Sequence, residues 1–261
     1  MLSNEERCKY RSSQLMDVVC QLRFPTILAI TASEPAEFQD AIRMEYPRYT
    51  AQTERPAPKV TGLGTDHPAL EQQPPIINYC FVSDNGSWRV NLTNRFIALS
   101  TRDYHGWEDF AARLDRILAA FIPCYKPFYF ERIGLRYINA FSKDELGLPD
   151  VPWRELIAPA YLGVLAEEDV PEAAVSKNAA DVEMALPHGC QLKLHAGPGH
   201  LRRNNQTEKQ TRFILDLDLS MTGQMTGVQI AGALSTLHNN STSVFRGAIL
   251  PRLHEAMEPV E

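Results

Sequence analysis

Asp216 and Asp218 stand two residues apart in the run Leu215-Asp216-Leu217-Asp218-Leu219. On an extended strand, residues i and i+2 share a face and lie about 7 Å apart, so both carboxylates point one way and the leucines the other. Two carboxylates at that spacing could hold a divalent ion or divide acid and base work between them. His195 and Arg136 complement them by type, an imidazole for a metal or a proton and a guanidinium for a phosphate oxygen. A competing reading needs no reaction. By the same parity Arg23, Arg89, Arg132 and Arg136 fall on the corresponding faces of their strands, and opposite charges on neighbouring strands form cross-strand ladders. The expectation is the ladder, with no metal and no cofactor. An enzyme with a metal or phosphate site around Asp216, Asp218, His195 and Arg136 is the alternative.

Other spacings carry less. His195 and His200 are five apart across Gly197-Pro198-Gly199 and could approach around a turn, but they lack a third ligand. The stretch Gly197 to Arg203 invites a phosphate cradle, yet polar loop follows it where a helix N-terminus would be needed. The dinucleotide, P-loop, zincin and nucleophile-elbow signatures are all missing. Cys8, Cys20, Cys80, Cys124 and Cys190 are odd in number and scattered, which argues against a disulfide framework or a zinc site.

These residues must be positioned by strands. Phe128 to Phe141 alternates, with Ile133, Leu135 and Tyr137 on one face and Arg132, Gly134 and Arg136 on the other. An echo stands near the N-terminus, where Leu22, Arg23 and Phe24 match Leu135, Arg136 and Tyr137 at an offset of 136 − 23 = 113 residues. After the first strand, Ser33 reads as the N-cap of a helix running to Tyr46. A strand lies within 49–60, a Pro/Gly-rich loop over 61–75, and a meander at 76–82, 88–92 and 96–101 around the turn Asp84-Asn85-Gly86-Ser87. Trp107, Phe110, Leu114, Ile117, Leu118 and Phe121 make an amphipathic helix closed by Pro123. After the central strand, 152–165 has helical hints against Pro159. Strands follow at 181–186, 191–195 and 212–219, with a polar loop at 197–210, and a last helix runs from Gly223 to Pro251.

The chain has 261 residues, 44% hydrophobic and 22% charged, with a formal charge of −6 and a pI near 5.7. That is an ordinary globular composition, and the acidic balance argues against a general nucleic-acid or anionic-membrane binder. No apolar run is long enough to span a bilayer, and Met-Leu-Ser-Asn-Glu-Glu-Arg is unlike a signal peptide, so a cytoplasmic protein is expected.

Several landmarks together resemble a sporadically distributed family of bacterial proteins of unknown function. They are Val18-Val19-x-Gln21-Leu22-Arg23-Phe24, Asp103-Tyr104-x-x-Trp107-Glu108-x-Phe110, Gly134-Leu135-Arg136-Tyr137-Ile138-Asn139, Leu215 to Asp218, and Leu237-His238 with Phe245. The resemblance spans nearly the whole chain and brings no activity or catalytic residue with it. Sporadic distribution implies an accessory role, such as defence or toxin neutralisation. The element order alone is also similar to the duplicated saddle of the TATA-binding-protein-like fold, which implies nothing about DNA.

The expected fold is α+β, two pseudo-repeats of β-α-β(3–4)-α forming an antiparallel-rich sheet with helices packed on one face. A loose N-terminus at 1–13 precedes halves at 14–125 and 126–261. The other sheet face then gathers Gln21, Arg23, Asn78, Arg89, Asn91, Arg132, Arg136, Lys193, His195, Asp216 and Asp218. The expected function is non-enzymatic binding of a protein partner, or of a second copy, through that face, with Arg23, Arg132, Arg136, His195, Asp216 and Asp218 as its binding residues.

Overall fold

Alternation of apolar and polar residues sets nine strands, all paired antiparallel in one sheet. They are β1 (Leu15–Arg23), β2 (Arg48–Glu54), β3 (Ile76–Val82), β4 (Trp88–Leu92) and β5 (Phe96–Thr101) in the first half. The second half supplies β6 (Phe130–Phe141), β7 (Ala180–Ala185), β8 (Gln191–Gly199) and β9 (Arg212–Met225). The spatial order is β7-β8-β9-β6-β1-β5-β4-β3-β2. The two halves therefore meet at β1 and β6, where Gln21 lies opposite Gly134. This computed structural model describes residues 2–5, 7–61, 69–73, 75–203, 206–208 and 210–260.

Helices cover one face of the sheet. α1 (Ala36–Ile42), α2 (Trp107–Tyr125), α3 (Ile230–Ala248) and the short α4 (Pro251–Ala256) bury their apolar stripes against the inward residues of the strands. Val18, Cys20 and Leu22 of β1, Ile133 and Leu135 of β6, and Leu215, Leu217 and Leu219 of β9 are all essentially buried. Phe24 at the end of β1 meets Phe121 of α2, with ring centroids 5.1 Å apart. The α+β class and the placement of helices on one side follow from this alternation. None of the helices among the described residues is long and apolar enough to cross a membrane.

The turn between β3 and β4 forms as its residues dictate. Gly86 takes φ +76°, and the Asn85 side-chain oxygen accepts from the Ser87 backbone N–H at 3.1 Å. Local expectations fail elsewhere. Ser33 ends a single helical turn, Ala29–Ala32, and α1 begins after Pro35. The stretch 152–165 forms no α-helix. It breaks into the 3₁₀ turns Trp153–Glu155, Pro159–Tyr161 and Gly163–Ala166, because Pro159 removes a donor and blocks the preceding turn. The second half thus has no helical counterpart of α1. β9 runs on to Met225, well past its expected end at 219.

The loops expected at 61–75 and 197–210 lie partly outside the described residues. What is described of them includes two short antiparallel pairs, Lys59–Thr61 with Ala69–Glu71 and Arg202–Arg203 with Gln206–Thr207. A third pair, Lys9–Tyr10 with Pro259–Val260, ties the N-terminal segment to the C-terminus.

Candidate functional site

The face without helices carries the sequence-selected residues. Register sets Asp216 opposite His195 on one side and Ile138 on the other, and Asp218 between Lys193 and Arg136. The ion pairs run diagonally. Arg136 forks onto Asp216, with Nε at 2.8 Å and Nη2 at 2.5 Å. Arg132 reaches past Gly134 to Asp218 at 3.1 Å. Gly134 makes that reach possible, since a Cβ there would stand 2.4 Å from Arg132 Nη1. The hydrogen bond to Asp216 raises the Arg136 pKa further above its usual value.

His195 turns away from Asp216, and its Nδ1 pairs with Asp181 at 2.7 Å. Lys193 pairs with Glu183 at 2.7 Å. Arg23 faces Arg132 in register, is exposed, and has no ion pair among the described residues. His200 Nδ1 lies 3.2 Å from the Gln210 carbonyl, so it does not join His195 in a site. The structure therefore joins Arg132, Arg136, Asp216 and Asp218 in two salt bridges, and leaves Arg23 and His195 outside them. Among the described residues no three of His, Cys, Asp and Glu gather as a metal site. One carboxyl of this face escaped the sequence reading. Asp17 is raised by burial against the pull of Arg102, Arg136 and Arg89, and its Oδ1 has no hydrogen-bond partner among the described residues.

A second feature lies on the helix side, below the N-terminal segment. A cavity of about 170 Å³ opens between β6, β9, the head of α2 and the middle of α3. Tyr104, Trp107, Tyr137, Asn139, His238 and Phe245 line it, and they come from three of the segments that carry the family resemblance. Its inner wall is a polar chain. Arg7 Nη1 lies 2.9 Å from His238 Nε2, and His238 Nδ1 lies 2.9 Å from the Tyr137 hydroxyl. An arginine can only donate, so Nε2 must accept and the imidazole proton sits on Nδ1, donating to Tyr137.

Burial, followed by the positive charge of Arg7, pushes the His238 pKa down to about 4, which keeps this arrangement neutral at ordinary pH. The Trp107 ring stacks on the imidazole at 4.4 Å with planes 6° apart. Tyr137 is raised well above the usual phenol range, by burial first and by Tyr104 next. Arg246 lies at the mouth, its side chain 10% exposed. Its Nη1 donates to the Tyr10 hydroxyl at 2.7 Å and to His254 Nδ1 at 2.5 Å, and its Nη2 pairs with Glu5.

Trp107 packs against the core from the head of α2, and α3 runs through the polar stretch Asn239 to Thr242. Ser241 and Thr242 both bond back to the His238 carbonyl, at 2.7 and 3.1 Å, without interrupting the helix. A buried His and Ser on a helix face otherwise apolar was the available signal. No family model and no curated protein matches this chain.

Proposed function

We propose that the protein works by non-covalent binding and that its open sheet face docks a protein partner. The observation that carries this is the state of the two carboxylates best spaced for chemistry. Asp216 and Asp218 are each held by an arginine, so neither is left as an open ligand or a free base. Nine strands at about 4.8 Å spacing and about eight residues in mean length offer roughly 1,100 Å², more than the ~800 Å² that one partner contributes to a standard interface. Cations and carboxylates alternate on this face, which suits a protein surface of mixed charge better than a nucleic acid or an anionic membrane.

The exposed Arg23, unpaired among the described residues, and the fork of Arg136 are the anchors we assign to the partner. Affinity capture from the source organism, with wild type and the Arg23→Glu and Arg136→Met variants compared by quantitative mass spectrometry, tests the reading. The expected result is a defined partner whose affinity falls about 30-fold or more, the effect of losing a hot spot. Arg136→Met should also cost about 1–3 kcal/mol of stability, since it leaves the Asp216 carboxylate, 15% exposed, without its arginine. Equal capture by all three proteins would refute the sheet face as the docking site. A second copy of the chain as partner would appear as a dimer in light scattering that Arg136→Met dissociates.

A further inference from the structure

The helix-side cavity has the dimensions and chemistry of a ligand site that is independent of the sheet face. Its volume of about 170 Å³ is close to the ~150 Å³ of an engineered cavity that accepts one benzene ring. Leu15, Leu217 and Phe245 supply an apolar lining, with Tyr104 and Tyr137 set edge-on to each other at 6.0 Å. The polar inner wall is satisfied internally by Arg7, His238 and Tyr137, so it asks nothing of a ligand.

Arg246 differs. It is nine-tenths buried, yet its Nε–H meets no acceptor among the described residues. That Nε is shut off even from water, so a carboxylate reaches the buried guanidinium at its Nη2 edge. The carboxylate that does pair with Arg246 belongs to Glu5, whose own side chain is 64% exposed and sits on the N-terminal segment across the mouth. Lys9 adds positive charge to the lining, while Arg7 is paired with Glu108 at 2.5 Å.

We propose that this cavity binds a small single-ring aromatic carboxylate, with its ring among Leu15, Leu217 and Phe245 and its carboxylate on Arg246. The ring is set by volume and lining. The acid is set by the buried guanidinium, whose Nη2 already holds the exposed carboxylate of Glu5 and would exchange it for the ligand's.

Isothermal titration calorimetry on the full chain tests it, with benzoate as probe and benzyl alcohol and acetate as controls that each lack one half of the ligand. Benzoate should bind saturably, and each control at least tenfold more weakly. Thr242→Phe fills the cavity from α3 and should abolish benzoate binding. Arg246→Lys should lower the preference for benzoate over benzyl alcohol at least tenfold. No benzoate binding at millimolar concentration overturns the proposal. So does equal affinity for benzyl alcohol, or benzoate binding unchanged in Thr242→Phe. The comparison of three probes on the wild-type protein stands even if Arg246→Lys fails to fold.

Discussion

Acidifying the protein from about pH 7.5 to about pH 5 should remove stability that His238 contributes, over a window separate from that of the carboxylates. In the folded chain its pKa is depressed to about 4 by burial and then by Arg7, against 6.5 for the free side chain. Between those values the unfolded chain binds a proton that the folded chain refuses. Stability therefore rises with pH across that range, is fully present above the unfolded value, and is lost as pH falls. The full shift of roughly 2.5 units corresponds to about 3 kcal/mol, and the part lost by about pH 5 is about 2 kcal/mol. His238 is 7% exposed, so solvent screens little of this.

Three other groups need separating from it. His254 is shifted in the same direction by burial and Arg246, and it adds to the slope. Glu45 and Glu108 are held below their usual range by Arg116 and Arg7, so they act only at lower pH. The difference between wild type and a non-titrating variant isolates His238. In urea unfolding followed by circular dichroism, His238→Gln should be less stable at about pH 7.5 by roughly 1–3 kcal/mol, the cost of a broken buried hydrogen-bond chain. Its stability should then fall less than the wild type's by about 2 kcal/mol on going to about pH 5. Parallel pH slopes for the two proteins would refute both the depressed pKa and the Nδ1-protonated chain built on it.

Two further outcomes follow from the sheet face. Gly134→Ala should change stability by less than about 0.5 kcal/mol, since only the flexible end of Arg132 must move, yet it should break the Arg132–Asp218 bridge; a crystal structure of the variant with that bridge intact would show the reach over Gly134 to be unnecessary. Purified protein should be metal-free, with a melting temperature indifferent to EDTA, and a stoichiometric divalent ion lost in Asp216→Asn would revive the enzyme reading.

The strands were legible because a two-residue period assigns faces without any knowledge of partners. Leu215, Leu217 and Leu219 pointed inward and Asp216 and Asp218 outward on that rule alone. Which arginine each aspartate would take was not legible. Register puts Arg136 opposite Asp218, but the side chains choose diagonals, and that choice depends on the missing Cβ of Gly134. The helix hints in 152–165 misled because apolar spacing outweighed the prolines in the reading and not in the chain. The cavity was beyond any local pattern. Arg7 and His238, in contact through one hydrogen bond, are 231 residues apart in sequence.

The two halves place these failures in a common frame. Each half pairs its first strand with its last, and the first strands, β1 and β6, meet at the middle. A two-fold relating them needs a directly opposed pair separated by the offset of the echo. Gln21 and Gly134 are such a pair, since 134 − 21 = 113. The two halves also differ in how their long helices meet the sheet. α2 turns Phe110, Leu114, Ile117, Leu118 and Phe121 to the sheet, all apolar, and the core there is filled. α3 turns Leu234, Leu237 and Val244 inward but sets His238 and Ser241 between them. An imidazole and a hydroxyl need partners that apolar residues do not. Arg7 and Tyr137 supply those partners. The cavity thus opens where α3 carries its buried polar pair, and the partners which that pair requires form its wall.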